Sequence, residues 1–203
     1  LAVGLTLWCF PLFRVVPLHP PVASAAAETL AGFDPVVAAA RIWKTDLPAA
    51  ATRAVELKAL APALRANADA AKARFAKSAG FGAAYYFVRG SGKVVSRERN
   101  TVRLALDDSA AETVELRIGP VFGNTVRDGC GFLDVNAFPG LQEFNALSAE
   151  LNALVEKDLL PALREKAVVG AILHFAGCAA APEAAADAGE PLLLIVPVQA
   201  EVH

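Results

Sequence analysis

The chain of 203 residues contains no methionine, only three cysteines and only three histidines. Each scarcity closes off some chemistry. Without Met at position 1, two starts stay open: one further upstream, or an alternative codon read as Leu1. The cysteines form no CxxC and no Cys/His spacing of the kind that holds zinc. His19, His174 and His203 have no Ser, Cys or carboxylate at motif spacing. A Ser-His-Asp site would have to be assembled in space, since triads are not local in sequence. Neither GxGxxG nor GxxxxGK[ST] occurs, so no phosphate-binding loop and no cofactor is expected. The net charge is −2 with 20% charged residues, so no strongly acidic or basic partner is implied for the chain as a whole.

Long apolar runs are also scarce, and one is informative. Leu1–Phe13 carries no charge and is closed by Arg14. Thirteen residues fall short of the ~20 that span a bilayer, and match the apolar region of a secretory signal. Extension upstream would make the run a transmembrane anchor. A core helix is disfavoured by Pro11, Pro17, Pro20 and Pro21. Cys9 offers lipidation, but Leu7-Trp8 before it lack the small residues of a lipobox, so an uncleaved anchor fits better. Residues 17–32 are Pro-rich and then Ala-rich, a tether rather than a core. Residues 1–32 thus read as export segment and tether, and 33–203 as one globular unit, long enough to bury a core unaided.

Within that unit, residues 33–79 read as helical. Asp34 is placed to cap a helix with Pro35 at its first position, running to about Lys44. Pro48 opens a longer helix with Val55, Leu60, Leu64 and Phe75 inward and Pro62 as a potential kink. Gly80-Phe81-Gly82 ends this half. Residues 80–203 turn to strand patterns. Tyr85–Val88 and Lys93–Ser96 flank Gly90-Ser91-Gly92 and read as a hairpin. Thr101–Leu106 and Val114–Ile118 alternate apolar and polar residues, with Asp107-Asp108-Ser109 turning between them. Leu141–Arg164 returns to helical period, with Pro161 late in it. Val168–Phe175 and Leu192–Val198 are apolar strands around an Ala-rich loop. The order predicts an α+β fold: a small antiparallel OB-like β-barrel with an N-terminal helical region and one late inserted helix, 141–164.

Gly119–Phe138 is the segment richest in punctuation and polar pairs. Arg127-Asp128 could grip a carboxylate or a sugar hydroxyl, with Asn124 and Asn136 adding donors and acceptors. The favoured reading is that Arg127 braces the loop on backbone carbonyls while Asp128 caps a turn. Trp43, Tyr85 and Tyr86 offer either a stacking surface or core packing. Cys130 and Cys178 could pair as a disulfide in an oxidising compartment or sit as two buried thiols. Arg89, Lys93, Arg97, Arg99 and Arg103 cluster near Tyr85 and Tyr86. On a barrel they could imitate a nucleic-acid face, but edge-strand charge accounts for them and no nucleic acid is expected. Glu143 and Glu150 share a helix face without a His partner, so no metal is expected. Asp128 and Glu143 are the acids a hydrolase would need.

Several of these runs together resemble the DUF2291 family of predicted bacterial periplasmic lipoproteins. The resemblance lies in Phe33–Pro35 with Ile42-Trp43, Ala54–Leu60, Tyr85–Ser96, Arg117–Phe132, Leu151-Asn152 and the last strand with Pro197. It departs at Gly140-Leu141, where the family tends toward Asn-Gln. The resemblance implies an exported protein anchored to the inner membrane, with an OB-like barrel and no established activity. It also implies work beside a ribose-type sugar ABC importer, through its components or a small sugar ligand.

Overall fold

The computed structural model describes residues 32–78, 83–106, 112–184, 186–187 and 189–203. The export segment with Cys9, the Gly80–Gly82 break and the Asp107–Ser109 turn lie outside the described residues. Phe33–His203 forms one compact unit and contains all the buried core among them.

Asp34 begins that unit in extended backbone. Its Oδ1 accepts from Val36 N at 2.8 Å and Val37 N at 3.2 Å. Two of the N–H groups that a helix start leaves open are thereby satisfied. Helix α1 (Pro35–Arg41) follows, widens into a π turn over Ile42–Asp46, and continues as α2 (Leu47–Ala51). Ile42 is fully buried and Trp43 packs on the core.

The single long helix expected from Pro48 is broken twice. After Ala51 the chain extends, and β1 (Val55–Glu56) pairs in parallel with Val88–Arg89. Helix α3 (Leu57–Ala66) carries Pro62 without ending there. The break falls at Asn67, which is extended and whose Oδ1 accepts from Ala70 N at 2.9 Å to start α4 (Ala68–Phe75). A capping residue, not the proline, divides the helical region.

After β2 (Lys77–Ser78) comes β3, one continuous strand of 14 residues, Ala84–Arg97. The hairpin expected around Gly90-Ser91-Gly92 is not there. These glycines serve close approach instead of a turn. A Cβ on Gly92 would lie 2.8 Å from the Ala105 carbonyl oxygen, and one on Gly90 3.1 Å from Leu57 Cδ1. Across the sheet Gly90 faces Phe175 and Gly92 faces Leu173, so a missing side chain makes room for a large one. The turn lies at Glu98–Asn100, ahead of β4 (Thr101–Ala105) and β5 (Thr113–Arg117).

The Gly-rich segment contains a short helix, α5 (Thr125–Gly129), and a 3-10 turn at Val135–Ala137. The late helix forms as expected but in two pieces, α6 (Leu141–Leu154) and α7 (Leu160–Lys166). A π turn at Val155–Leu159 joins them, and Pro161 sits in the first turn of α7. Strands β6 (Ile172–Ala180) and β7 (Leu194–Val202) start later than their apolar runs suggested. Val168-Val169 lie instead on an exposed loop where Gly170 takes φ +95°. Small residues at Ala176–Ala180 carry β6 past the apolar run.

Strands β3, β4 and β5 pair antiparallel in order, β5 pairs β7 in parallel, β7 pairs β6, and β6 returns to β3. The result is a closed five-stranded barrel with α5 to α7 inserted between β5 and β6, the OB-like α+β arrangement. Strand alternation turns Val94, Leu104 and Val114, which are direct neighbours across three strands, into one buried row. Burying each such side chain contributes about 1.5–3 kcal/mol. Tyr86 is fully buried on this inner side, so it belongs to the core and not to a stacking surface.

Candidate functional site

The loop before α5 is pinned from below. Ser148 Oγ and Asn152 Nδ2 both donate to the Gly123 carbonyl, at 3.0 and 2.9 Å. Gly123 takes φ +76°, a left-handed conformation that suits glycine. One turn later Arg127 points inward, 6% exposed. Its Nε donates to Asp128 Oδ1 at 2.7 Å and its Nη2 to Oδ2 at 3.1 Å. Nη1 donates to the Phe144 carbonyl at 3.2 Å and to Asn145 Oδ1 at 2.9 Å. The guanidinium carbon lies 3.8 Å from the Phe144 ring centroid. Every side of the group is engaged, so Arg127 braces α5 against α6, the second of the two roles its sequence allowed. The Tyr85 phenol lies beside the pair. Burial raises its pKa, the Asp128 charge raises it further, and Arg127 opposes them.

Asn124 and Asn136 are not drawn into this cluster. Asn124 is exposed and makes no side-chain cap on α5. Asn136 is exposed and donates through Nδ2 to Asp134 Oδ1 at 2.9 Å, within its own turn. The true partners, Phe144 and Asn145, come from α6 and gave no signal in sequence.

Cys130 and Cys178 are both buried, and both are free thiols. Cys130 Sγ donates to the Arg127 carbonyl at 3.0 Å and Cys178 Sγ to that of Val126 at 3.8 Å. Burial pushes the Cys130 thiol up to about 11. Cys178 is pushed up by burial and then by the neighbouring Cys130. Among the described residues no group of three or more His, Cys, Asp or Glu is placed to hold a metal ion.

A cleft of about 820 Å³ opens elsewhere, between Ala51–Lys58 and the sheet of β3, β6 and β7. Its polar lining is Thr52, Glu56, Lys58, Arg89, Ser91, His174, Gln199 and Glu201, with Leu57 and Phe175 among the apolar residues. Strand register explains the grouping. Ser91, His174 and Glu201 form one cross-strand row, and Arg89, Ala176 and Gln199 the next. Arg89 Nη2 pairs with Glu56 Oε1 at 2.8 Å, while its Nε is buried without a partner among the described residues. The His174 ring meets His203 edge-on, with centroids 5.1 Å apart. The cleft thus presents several donors and acceptors over an apolar base. None of Asn124, Arg127, Asp128 or Asn136 lines it.

Comparison with known families finds that residues 3–201 match the model of one described as "Predicted periplasmic lipoprotein (DUF2291)". The chain belongs to the DUF2291 family. Membership sets this DUF2291 protein among predicted periplasmic lipoproteins, which are exported and membrane-anchored. Among solved structures it is similar to an OB-fold protein of Thermotoga maritima, with TM-score 0.71 and 21% identity. The match covers 85% of this chain and 99% of the other. At that identity the likeness shows the fold alone, and it agrees with the barrel described above. Comparison with curated proteins finds no match.

Proposed function

We propose that this DUF2291 protein is a non-enzymatic periplasmic accessory, tethered to the inner membrane. In this reading it holds a small polyhydroxy ligand for a ribose-type sugar ABC import system. The observation that carries the ligand reading is the convergence of Glu56, Arg89, Ser91, His174, Gln199 and Glu201 on one cleft. The Arg89 side chain is 43% exposed, so its guanidinium end can donate to a ligand hydroxyl while it holds Glu56. The cleft volume lies within the range of small-molecule sites. Glu56, Gln199 and Glu201 supply acceptors, and Ser91 and His174 can donate or accept, as a polyol requires. The importer is supported by the family resemblance, and the inner membrane by the apolar N-terminal run.

A hydrolase based on Asp128 and Glu143 has less support. Asp128 is engaged at both oxygens by Arg127, which leaves it poorly placed to move a proton. The test is a thermal-shift screen of Phe33–His203 against pentoses, hexoses and their phosphates. A ligand at a hundred times its Kd adds about 2.7 kcal/mol of stability. A shift for one sugar that disappears in Arg89→Ala is the expected result. A flat screen would remove the ligand from the account and leave protein partners.

A further inference from the structure

A second surface begins one strand row beyond the cleft lining and shares none of its residues. Hydrogen bonds gather four segments there. Gly170 N donates to Val94 O at 2.8 Å, and Val94 N to Ala171 O at 2.9 Å. Arg97 Nη1 donates to Ala167 O at 3.5 Å. Ile118 N and Gly119 N both donate to Asn100 O, and Arg164 Nε donates to Ile118 O. At the tip of this assembly Val168 is 53% and Val169 65% exposed, with Ile172 and Val95 beside them. Four large apolar side chains in one exposed group exceed the scattered singles of an ordinary surface.

Lys93, Arg97, Arg99, Arg164 and Lys166 surround the tip, and all are exposed. The acids among them are Glu98 and Glu165, with Glu201 one strand row away. The local charge is therefore positive in a chain of net charge −2. Arg99 and Arg164 also flank a notch of about 350 Å³, together with Asn100, Gly119 and Pro120. Edge-strand charge does not account for most of these cations. Arg99 lies in the turn after β3, and Arg164 and Lys166 lie on α7, so three of the five are on no strand.

We propose that this face docks on an anionic phospholipid surface. Val168 and Val169 enter the interfacial region, Ile172 and Val95 follow, and the collar of cations meets the phosphates. Charge complementarity chooses the occupant: an apolar tip inside a basic collar matches a bilayer with negative headgroups. The notch between Arg99 and Arg164 has room for a phosphate headgroup. The protein is already held near a membrane as a DUF2291 lipoprotein, so this contact would orient the barrel on the bilayer rather than recruit it.

The experiment is hydrogen exchange on the full chain in nanodiscs of phosphatidylcholine alone or mixed with phosphatidylglycerol. Amides of Glu98–Asn100 and Ala167–Ile172 are expected to exchange at least several-fold more slowly on the anionic discs. Raised salt should erase the difference. Each cation near such a surface is worth roughly fivefold in binding, so Arg99→Glu with Lys166→Glu should reverse the protection. Neither side chain bonds to another described residue, and unchanged melting of this variant would exclude misfolding. Equal exchange on both discs overturns the proposal. So does the same protection produced by inorganic phosphate in solution, which would make the notch a free-anion site.

Discussion

Replacing Arg127 by Ala removes four hydrogen bonds and leaves the Asp128 carboxylate, 10% exposed, without its cation. Breaking a buried pair by deleting one partner costs about 3–5 kcal/mol, because the remaining charge is stranded. Losing the Phe144 ring contact pushes toward the upper end. In a domain of this size 1 kcal/mol moves Tm by about 2–4 °C, so the drop should reach roughly 6–20 °C. Arg127→Lys keeps the charge but cannot form the two-pronged contact with Asp128, and should fall between wild type and Ala. The double variant Arg127→Ala with Asp128→Ala should recover part of the loss, since no charge is then stranded. Differential scanning calorimetry of the three variants measures this directly. A loss below 1 kcal/mol for Arg127→Ala, or no recovery in the double variant, would refute the brace and return Arg127 to the role of a ligand group.

Gly92→Ala brings a Cβ to 2.8 Å from the Ala105 carbonyl oxygen, a backbone atom that cannot swing aside. Overpacking of this kind should cost about 1–3 kcal/mol in a urea melt. Burial pushes the Cys130 thiol from its ordinary 9.0 up to about 11, so the folded state keeps its proton to higher pH. Its contribution is complete below pH 9 and lost as pH rises through 11, by about 3 kcal/mol. Cys178 shifts in the same direction, and Cys130→Ala should flatten the decline measured by melts from pH 8 to 11. Alkylation of the denatured, unreduced Phe33–His203 unit should count two free thiols, and a count of zero would mean that Cys130 and Cys178 pair in the periplasm.

Features set by neighbouring residues were legible in the sequence. Asp34-Pro35 announces a helix start because a cap acts within three residues. The alternation of Val102, Leu104, Val114 and Leu116 announces half-buried strands because the pleat has a period of two. Gly90 and Gly92 misled, because a glycine required by close packing has the same letter as a glycine required by a turn. Asn67 hid among alanines whose propensity favours helix on both sides of it. Arg127-Asp128 stood out as a pair, but Phe144 and Asn145 decide its role, and they arrive from another helix. The cleft was not legible at all. Arg89, His174 and Gln199 meet only through the pairing of β3, β6 and β7, which joins distant parts of the chain.

The central claim is that the cleft around Arg89 binds a small polyhydroxy ligand. Calorimetric titration of Phe33–His203 with the sugar that shifts its melting, beside Arg89→Ala and Gln199→Ala, tests it most directly. The account predicts saturable one-to-one binding to the wild type and a loss of tenfold or more in each variant, with melting temperatures unchanged in the absence of sugar. That loss corresponds to about 1.4 kcal/mol per contact. Equal affinity in all three proteins would contradict it and place the ligand, if any, outside the cleft.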